Sequence, residues 1–265
     1  NGTRYTGKNV ILATGSYAKT LPGLEIDGEK IITSDHGTKM SYVPKSVIVL
    51  GGGVIGCEFA SVWKSFGSDV TIIEGLPHLI ALEDESSSKQ LERAFRKRGI
   101  KFELGVRFKS HKVNGDSVTV TLEDGREFTA DVLLVSVGRG PVTDGIGYQE
   151  LGITMDRGYI TVDDHCRTNI PGVWAVGDII PTLQLAHVGF QEGILVAETI
   201  AGLNPRPINY DGVPRVTYSE PEVASVGLST KVAKERGYDI VELDYNLAGN
   251  GKAQILKTAG SIKLI

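Results

Sequence analysis

Closely spaced glycines and one carboxylate form the clearest chemical pattern in this sequence. The run Gly51-Gly52-Gly53-Val54-Ile55-Gly56 matches G-x-G-x-x-G, and Glu74 follows roughly 20 residues later. In such a turn the glycines permit a tight bend, a close approach of the backbone to a pyrophosphate, and close helix–strand packing. The carboxylate accepts hydrogen bonds from ribose hydroxyls and repels a 2′-phosphate by about 1–4 kcal/mol at ~4 Å. The pattern predicts that residues 51–56 and Glu74 bind NAD in preference to NADP.

The elements around the glycines make this pattern specific. Glycine accounts for 33 of the 265 residues, so roughly half a match is expected by chance. However, the apolar run 46–50 predicts a buried strand, the apolar spacing over 54–66 predicts a helix, and 69–74 predicts a second strand. No arginine lies between Glu74 and Arg93 that could attract a 2′-phosphate. The alternative is a glycine-rich turn in which Glu74 is an ordinary strand-end carboxylate.

Further periodic segments predict an α/β fold around this site. They are a helix over 86–98 and strands over 100–104, 117–122, 126–130 and 131–137. The pair Asp124-Gly125 between two alternating runs predicts a hairpin, so one crossover of the sheet is a β-meander rather than a helix. We therefore predict a Rossmann-like NAD-binding domain with a parallel sheet. A shift toward Gly, Pro and Asp around Pro141 predicts a domain boundary.

Composition excludes several classes of protein. The net charge is −4 and the two signs are interspersed, so no nucleic-acid partner is predicted. No apolar run approaches the ~18 residues that a membrane-spanning helix needs. Cys57 and Cys166 form neither a disulfide framework nor a C-x-x-C motif, which predicts a cytoplasmic protein, and no metal site is predicted. The chain begins with Asn1 rather than Met and stops on an apolar stretch, so we expect both ends to be cut.

Several motifs, taken together, resemble the flavin-dependent pyridine nucleotide-disulfide oxidoreductases. They span nearly the whole chain in the order typical of that family. They are Ala13-Thr-Gly-Ser16, Gly51-Gly-Gly-Val-Ile-Gly-Cys-Glu58, Val137-Gly-Arg-Gly-Pro141, Gly172-Val-Trp-Ala-Val-Gly-Asp178, Leu185-Ala-His-Val-Gly-Phe-Gln-Glu-Gly193 and Tyr218-Ser-Glu-Pro-Glu-Val-Ala-Ser-Val-Gly227. The element that begins at Leu185 is most similar to the dihydrolipoamide dehydrogenase branch of the family.

This resemblance implies roles for residues outside the glycine turn. Gly138 would line the nicotinamide side of the NAD site. Glu58 would be a catalytic residue, forming an ion pair with a lysine beside flavin N5. Asp178 would hold the ribityl chain of FAD. The other residues implied in FAD binding are Gln184, Leu185, Ala186 and His187, whose helix start would face the flavin N1 and O2 edge, and Thr14, Gly15 and Ser16, behind the binding strand. Without a flavin, the helix dipole would still favour Glu58, His187 would neighbour a helix cap, and Asp178 would be a turn residue.

The resemblance also implies parts that this sequence does not contain. The family pattern includes a second dinucleotide fingerprint, a redox-active cysteine pair separated by four residues, and a C-terminal His-Pro element. Neither Cys57 nor Cys166 can belong to that pair. The predicted division is 1–40 as the end of a first FAD-domain segment, 41–140 as the NAD-binding domain, 141–208 as a second FAD-domain segment, and 209–265 as a partial dimerisation domain. The NAD-binding domain would thus interrupt an incomplete FAD-binding domain and be followed by the start of an α+β interface domain.

The function implied by the resemblance is that of a dihydrolipoyl dehydrogenase-type flavoprotein. In the full-length proteins, dihydrolipoamide reduces a disulfide, electrons pass to FAD, and hydride passes to NAD⁺. Such a protein would be a homodimer and would meet the lipoyl domain of a 2-oxo acid dehydrogenase complex. This chain alone is expected to bind NAD, not to hold FAD firmly, and to turn over no lipoamide. The alternatives are another FAD-dependent disulfide reductase, a soluble transhydrogenase, or a non-catalytic NAD-binding and dimerisation module.

Overall fold

The computed structural model describes residues 2–265, which divide into two compact units. The first unit consists of residues 2–19 and 138–213, and the second consists of Thr20–Val137 and Pro214–Ile265. Each unit is therefore discontinuous in sequence. None of the helices within residues 2–265 has the length and the apolar character needed to cross a membrane.

Short strands alternate with helices along the chain. The strands are β1 (Val10–Leu12), β2 (Ser16–Ala18), β3 (Ile31–Ile32), β4 (Ser46–Leu50), β5 (Asp69–Glu74), β6 (Lys101–Leu104), β7 (Phe108–Asn114), β8 (Ser117–Leu122), β9 (Glu127–Ala130), β10 (Val132–Val135), β11 (Arg139–Pro141), β12 (Met155–Asp156), β13 (Tyr159–Ile160), β14 (Val173–Ala175), β15 (Arg215–Thr217), β16 (Val223–Ser225), β17 (Leu243–Asn246) and β18 (Ser261–Leu264). The helices are α1 (Ser34–Gly37), α2 (Val54–Ser65), α3 (Glu85–Arg98), α4 (Ala186–Ile200), α5 (Thr230–Glu235) and α6 (Gly251–Leu256).

The second unit is built on a five-stranded parallel sheet with the strand order β3-β10-β4-β5-β6. In the middle of the sheet, Val47 of β4 pairs with Val132 of β10 on one side and with Val70 of β5 on the other. These strands are rich in Val, Ile and Leu because both faces of a parallel sheet are covered. Trp63 of α2 and Phe95 of α3 belong to the buried cluster on one face.

Helices α2 and α3 begin and end close to their predicted residues. Helix α2 starts directly after Gly53, and its period places Trp63 among the buried residues. Helix α3 starts after Asp84, whose side chain accepts a hydrogen bond from the Ser86 amide. It ends at Gly99, which has the left-handed conformation (φ 77°) that glycine adopts without steric cost. The order strand, helix, strand thus brings the glycine turn to the carboxyl end of β4.

The other face of the sheet is covered by an antiparallel meander, β7-β8-β9. The predicted hairpin at Asp124-Gly125 connects β8 to β9, and the Gly125 amide donates to the Leu122 carbonyl. Alternate residues of β8 are buried in the cluster on this face: Val118, Val120 and Leu122. The prediction of an α/β fold with a parallel sheet and a β-meander crossover is confirmed.

Residues 214–265 add smaller elements to the second unit. Strands β15 and β16 form one antiparallel pair, and β17 and β18 form another. Lys263 of β18 pairs with Asp84 at 3.0 Å, and Arg215 of β15 pairs with Glu83 at 3.2 Å. The four side chains are only 8 to 29% exposed, so two largely buried ion pairs connect this segment to the beginning of α3.

The first unit joins the beginning of the chain to its middle. Strand β1 pairs in parallel with β14, and β2 pairs antiparallel with β11. Helix α4 and the segment after β14 bury Trp174, Ile179 and Leu195 in one apolar cluster. The predicted division at residue 40 stays a prediction, although β3 (Ile31–Ile32) lies in the five-stranded sheet of the second unit.

Candidate functional site

The glycine turn lies between β4 and α2 and is closely packed. Gly51 has φ 108°, and any side chain there would collide with the Ser136 carbonyl. A side chain at Gly56 would collide with the Gly51 carbonyl, so the helix could not start this close to the strand with any other residue. Gly53, in contrast, faces open space, since a Cβ there would meet no atom within 4 Å. The turn therefore presents bare backbone at Gly53, as a close approach to a phosphate requires.

Glu74 lies beside this turn, at the end of β5. One carboxylate oxygen accepts a hydrogen bond from the Gly52 amide at 2.5 Å, and the other accepts one from the Leu76 amide at 2.7 Å. Charge-assisted bonds to two amides fix the plane of the carboxylate. A fixed acceptor with unused lone pairs can receive two ribose hydroxyls. The structure thus brings Glu74 to the glycines that sequence spacing paired with it.

Cys57 lies underneath the turn rather than in an open cleft. The residue is fully buried, and its thiol donates to the Gly52 carbonyl at 3.3 Å. Burial, with the negative charge of Glu74 adding to it, raises the pKa of Cys57 to about 12. The thiol is therefore protonated near neutral pH and is no nucleophile there, and it packs as a small apolar side chain.

The loop after Glu74 packs directly onto the glycine turn, which the sequence patterns did not reveal. The Ile80 amide donates to the Gly52 carbonyl at 2.8 Å. A side chain at Gly52 would meet Leu79 Cδ2 at 2.6 Å, so this loop covers the second glycine. Glu92 of α3 is buried and accepts a hydrogen bond from the Leu79 amide at 3.2 Å.

Glu58 lies in the first turns of α2, within the second unit. Its carboxylate accepts a hydrogen bond from the Tyr218 amide at 2.8 Å. Three residues later, the Ser61 hydroxyl accepts one from the Glu220 amide at 2.8 Å. The backbone that precedes β16 therefore lies beside Glu58. The pairing of Glu58 with a lysine stays a prediction.

In the first unit, the structure brings Ser16 and Asp178 together. The Ser16 hydroxyl donates to Asp178 Oδ2 at 2.5 Å and accepts from Arg139 Nε at 2.7 Å. Arg139 also donates through Nη2 to the Ser16 carbonyl at 2.8 Å. Because Arg139 can only donate, the serine hydroxyl is oriented as a donor toward the aspartate. Arg139 belongs to the motif Val137-Gly-Arg-Gly-Pro141, which by itself indicates no role for this arginine.

The other residues implied in FAD binding lie in the same unit. The Thr14 hydroxyl donates to the Val142 carbonyl at 2.6 Å, and the Gly15 carbonyl accepts from the Val142 amide at 2.9 Å. Gly138, implied on the nicotinamide side, has φ 114°, and its carbonyl accepts from the Lys19 amide at 2.9 Å. These bonds fix the backbone, and the roles in cofactor binding remain predictions.

Helix α4 begins where the predicted FAD-facing residues lie. Leu185 is its N-cap residue and supplies no side-chain cap, so the amides of the first turn, including those of Ala186 and His187, are not capped by that residue. Gln184 Nε2 is buried, and within residues 2–265 it has no hydrogen-bond partner. A buried donor without a partner is unfavourable unless a ligand or water supplies an acceptor. The residues present therefore fit an acceptor group of a flavin at this helix start.

Glu192, also on α4, is a buried carboxylate that the sequence analysis gave no role. It accepts hydrogen bonds from the Gly177 amide at 2.6 Å, the Thr182 hydroxyl at 2.8 Å and the Tyr210 hydroxyl at 3.0 Å. Burial and the charge of Glu192 raise the pKa of Tyr210, which therefore stays a neutral donor. Glu192 thus anchors the residue that precedes Asp178.

Comparison with known proteins identifies the family on both parts of the chain. Residues 1–193 match the family model for pyridine nucleotide-disulphide oxidoreductases, and residues 213–265 match the model for their dimerisation domain. A dihydrolipoyl dehydrogenase of Cupriavidus necator is 42% identical over 95% of this chain and 54% of its own length. A dihydrolipoyl dehydrogenase of Bacillus subtilis is 39% identical over 97% of this chain and 56% of its own length. The chain spans about half the length of these curated relatives.

Solved structures share the same fold. LpdA from Mycobacterium tuberculosis superposes with a TM-score of 0.90 at 31% identity, covering 96% of this chain and 56% of that one. The HOCl-induced flavoprotein disulfide reductase RclA from Escherichia coli superposes with a TM-score of 0.89 at 26% identity, covering 98% of this chain and 60% of that one. The predicted cofactors, NAD and FAD, are supported by these relatives. The glycine turn with its acidic partner and the match over residues 1–193 lead to one conclusion: this chain belongs to the pyridine nucleotide-disulphide oxidoreductase family.

Proposed function

We propose that this chain forms the NAD-binding and interface part of a dihydrolipoyl dehydrogenase-type flavoprotein. The whole protein would catalyse dihydrolipoamide + NAD⁺ → lipoamide + NADH + H⁺. The two electrons of the dithiol would leave as a hydride on the nicotinamide, and bound FAD, with a redox disulfide, supplies the chemistry that links the dithiol to the hydride. Support comes from the dihydrolipoyl dehydrogenases that match 95 to 97% of the chain.

One observation carries the NAD half of this proposal. Glu74 is held by the amides of Gly52 and Leu76 beside the bare backbone of Gly53. Residues 51–56 would hold the pyrophosphate at the start of α2, and Glu74 would receive the adenosine ribose hydroxyls. A 2′-phosphate at that place would lie against a fixed negative charge, which favours NAD over NADP.

The FAD half rests on the first unit. Asp178, oriented by Ser16, would accept hydrogen bonds from the ribityl hydroxyls, and residues 184–187 would face the flavin at the start of α4. Thr14 and Gly15 would support that site through their bonds to Val142. Glu58 would form the ion pair on the flavin side, and Gly138 would line the nicotinamide.

We propose that the 265-residue chain alone binds NAD, does not retain FAD firmly and turns over no lipoamide. The test is titration calorimetry of the purified chain with NAD and NADP, together with its flavin absorbance and dithiol-dependent NADH production. The proposal predicts binding of NAD, weaker binding of NADP and neither of the other two signals. Absence of NAD binding would refute the NAD assignment, and dithiol-dependent NADH formation would refute the assignment as an inactive part.

A second candidate is another FAD-dependent disulfide reductase, which the structural similarity to RclA favours. A soluble transhydrogenase or a non-catalytic NAD-binding and dimerisation module would share the same NAD site. We place the protein in the cytoplasm as a homodimer, with the lipoyl domain of a 2-oxo acid dehydrogenase complex as its partner. Dithiol specificity of the whole protein separates the candidates, since only the first reduces NAD⁺ with dihydrolipoamide.

A further inference from the structure

The loop from Leu76 to Ile80 is attached to the glycine turn on one side. The Leu76 amide donates to Glu74, and the Ile80 amide donates to the Gly52 carbonyl at 2.8 Å. Leu79 is fully buried and lies against Gly52. The loop therefore determines where the Gly52 peptide and the Glu74 carboxylate lie.

Ile80 adopts a backbone conformation that is unfavourable for its type. Its φ is 44°, in the left-handed region, and a β-branched residue there is a genuine outlier. Such conformations persist only where the surroundings enforce them, and they are concentrated at functional sites. Here the strained conformation accompanies the hydrogen bond from the Ile80 amide to the Gly52 carbonyl.

Glu92 of α3 holds the same loop through a second set of contacts. Its Oε1 accepts the Leu79 amide at 3.2 Å and lies 3.1 Å from His78 Nδ1. The residue is 5% exposed, so water cannot readily replace it as an acceptor for the Leu79 amide. The Glu92 carboxylate and the Gly52 carbonyl thus accept the successive amides of Leu79 and Ile80.

We propose that Glu92 is a positioning residue of the NAD site, which acts through the Leu76–Ile80 loop on Gly52 and Glu74. The inference rests on the proposed NAD binding. When Glu92 is lost, the Leu79 amide is left without its buried acceptor, and the loop can relax. Ile80 then leaves the left-handed region, and its bond to the Gly52 carbonyl breaks. The adenosine half of the ligand would lose the fixed geometry that Glu74 and Gly52 provide.

Calorimetric titration of the purified chain with NAD and with ADP-ribose tests this inference. Glu92→Ala removes the acceptor, whereas Glu92→Gln keeps a carbonyl oxygen in the same place and serves as the rescue. Val118→Ala, in the buried cluster on the opposite face of the sheet, is the control for a general loss of stability. We expect Glu92→Ala to raise the Kd of NAD and of ADP-ribose about tenfold or more, and Glu92→Gln and Val118→Ala to change them by less than about threefold.

The possible outcomes separate the inference from the function on which it rests. If the unmodified chain binds NAD and Glu92→Ala binds it within about threefold of that affinity, the inference is wrong and the proposed function stands. If the unmodified chain does not bind NAD, both are wrong. If Glu92→Ala does not fold, Glu92→Asp replaces it, since the shorter side chain keeps the charge but withdraws the acceptor. The Kd of NAD for Glu92→Asp should rise at least about threefold, and an unchanged Kd for this variant overturns the inference.

Discussion

At the scale of single residues, Gly52 has every polar group of its backbone engaged. Its amide donates to Glu74, and its carbonyl accepts from the Ile80 amide and the Cys57 thiol. Hydrogen bonds within the protein thus fix the geometry of the proposed dinucleotide site. Ribose hydroxyls bound there would use the remaining lone pairs of Glu74, because those that face Gly52 and Leu76 are already occupied.

Glu74→Gln should change the cofactor preference of the chain. A neutral amide no longer repels a 2′-phosphate, and it presents one carbonyl oxygen where the carboxylate presented two acceptors. We expect the Kd of NAD to rise and the ratio of the NADP Kd to the NAD Kd to fall about tenfold, within the 1–4 kcal/mol of the charge repulsion. Calorimetry with both nucleotides measures this ratio. Glu103→Gln, on the neighbouring strand β6, is the control, and an unchanged ratio in Glu74→Gln would contradict the role of Glu74.

Sequence reasoning identified the glycines and Glu74 because their spacing follows local geometry, but it did not identify Glu92 or Glu192. Each of these glutamates occupies a position on the buried face of its helix, as Leu91 and Leu195 do. The one sequence signal for these two residues is an acidic side chain on the otherwise apolar face of a helix. The donors that satisfy Glu192 come partly from loops, whose course no periodicity predicts.

At the scale of elements, the start of α3 is a junction between distant parts of the second unit. Asp84 caps the helix by accepting the Ser86 amide at 3.0 Å, and it also accepts the Thr230 amide at 3.0 Å and Lys263 Nζ at 3.0 Å. Burial favours the neutral carboxyl, but these hydrogen bonds outweigh it and lower the pKa of Asp84 well below its ordinary range. One side chain therefore joins α3, α5 and β18.

Asp84→Asn should destabilise the second unit and flatten its acid dependence. The amide cannot accept from all of these donors, and Lys263 loses one of its carboxylate partners while it keeps Glu242 at 2.9 Å, so we expect a loss of about 2 kcal/mol at pH 7. A carboxyl with a lowered pKa stabilises the fold above its unfolded pKa, and this contribution is lost as pH falls through the folded pKa. Urea unfolding from pH 7 to pH 3 should show a smaller decline for Asp84→Asn than for the unmodified chain. Asp116→Asn, in an exposed turn, is the control, and parallel curves for all three proteins would contradict the prediction.

Helices and strands with a regular spacing of apolar residues were predicted well, and those without such a spacing were not. The limits of α3 follow from Asp84 and Gly99, which mark both ends in the sequence. Strand β7 was not predicted because most of its residues are exposed and show no alternation. Strand β3 was not predicted because it is only 2 residues long, and pairing with β10 in the sheet, rather than its own sequence, makes it a strand.

At the scale of the whole molecule, each compact unit contains one of the 2 tryptophans of the chain. Trp63 lies in the second unit and is 4% exposed, whereas Trp174 lies in the first unit and is 7% exposed. Buried indoles change their fluorescence on unfolding. The unfolding of each unit can therefore be followed separately in one protein, after replacement of the other tryptophan.

The proposed NAD site predicts that the nucleotide stabilises one unit only. In Trp174→Phe, fluorescence reports the unit with the glycine turn, and NAD at about 100 times its Kd should stabilise that unit by about 2.7 kcal/mol. In Trp63→Phe, fluorescence reports the first unit, whose transition should not move. Urea titrations with and without NAD measure both. NADP at the same concentration is the control, and a shift confined to the Trp63→Phe protein would contradict the assignment of the NAD site.

The backbone pairing of β2 with β11 has an evolutionary consequence. The Lys19 amide donates to the Gly138 carbonyl at 2.9 Å, so the chain leaves the first unit and re-enters it at neighbouring points. A segment with adjacent ends can be exchanged for another by recombination without parting the strands that flank it. The exchange would carry conditions, because residues 214–265 contact the segment both at Asp84 and Glu83 and at Glu58 and Ser61 of α2. An incoming module would have to offer acceptors to Arg215, Lys263 and the amides of Tyr218 and Glu220, or evolve together with residues 214–265.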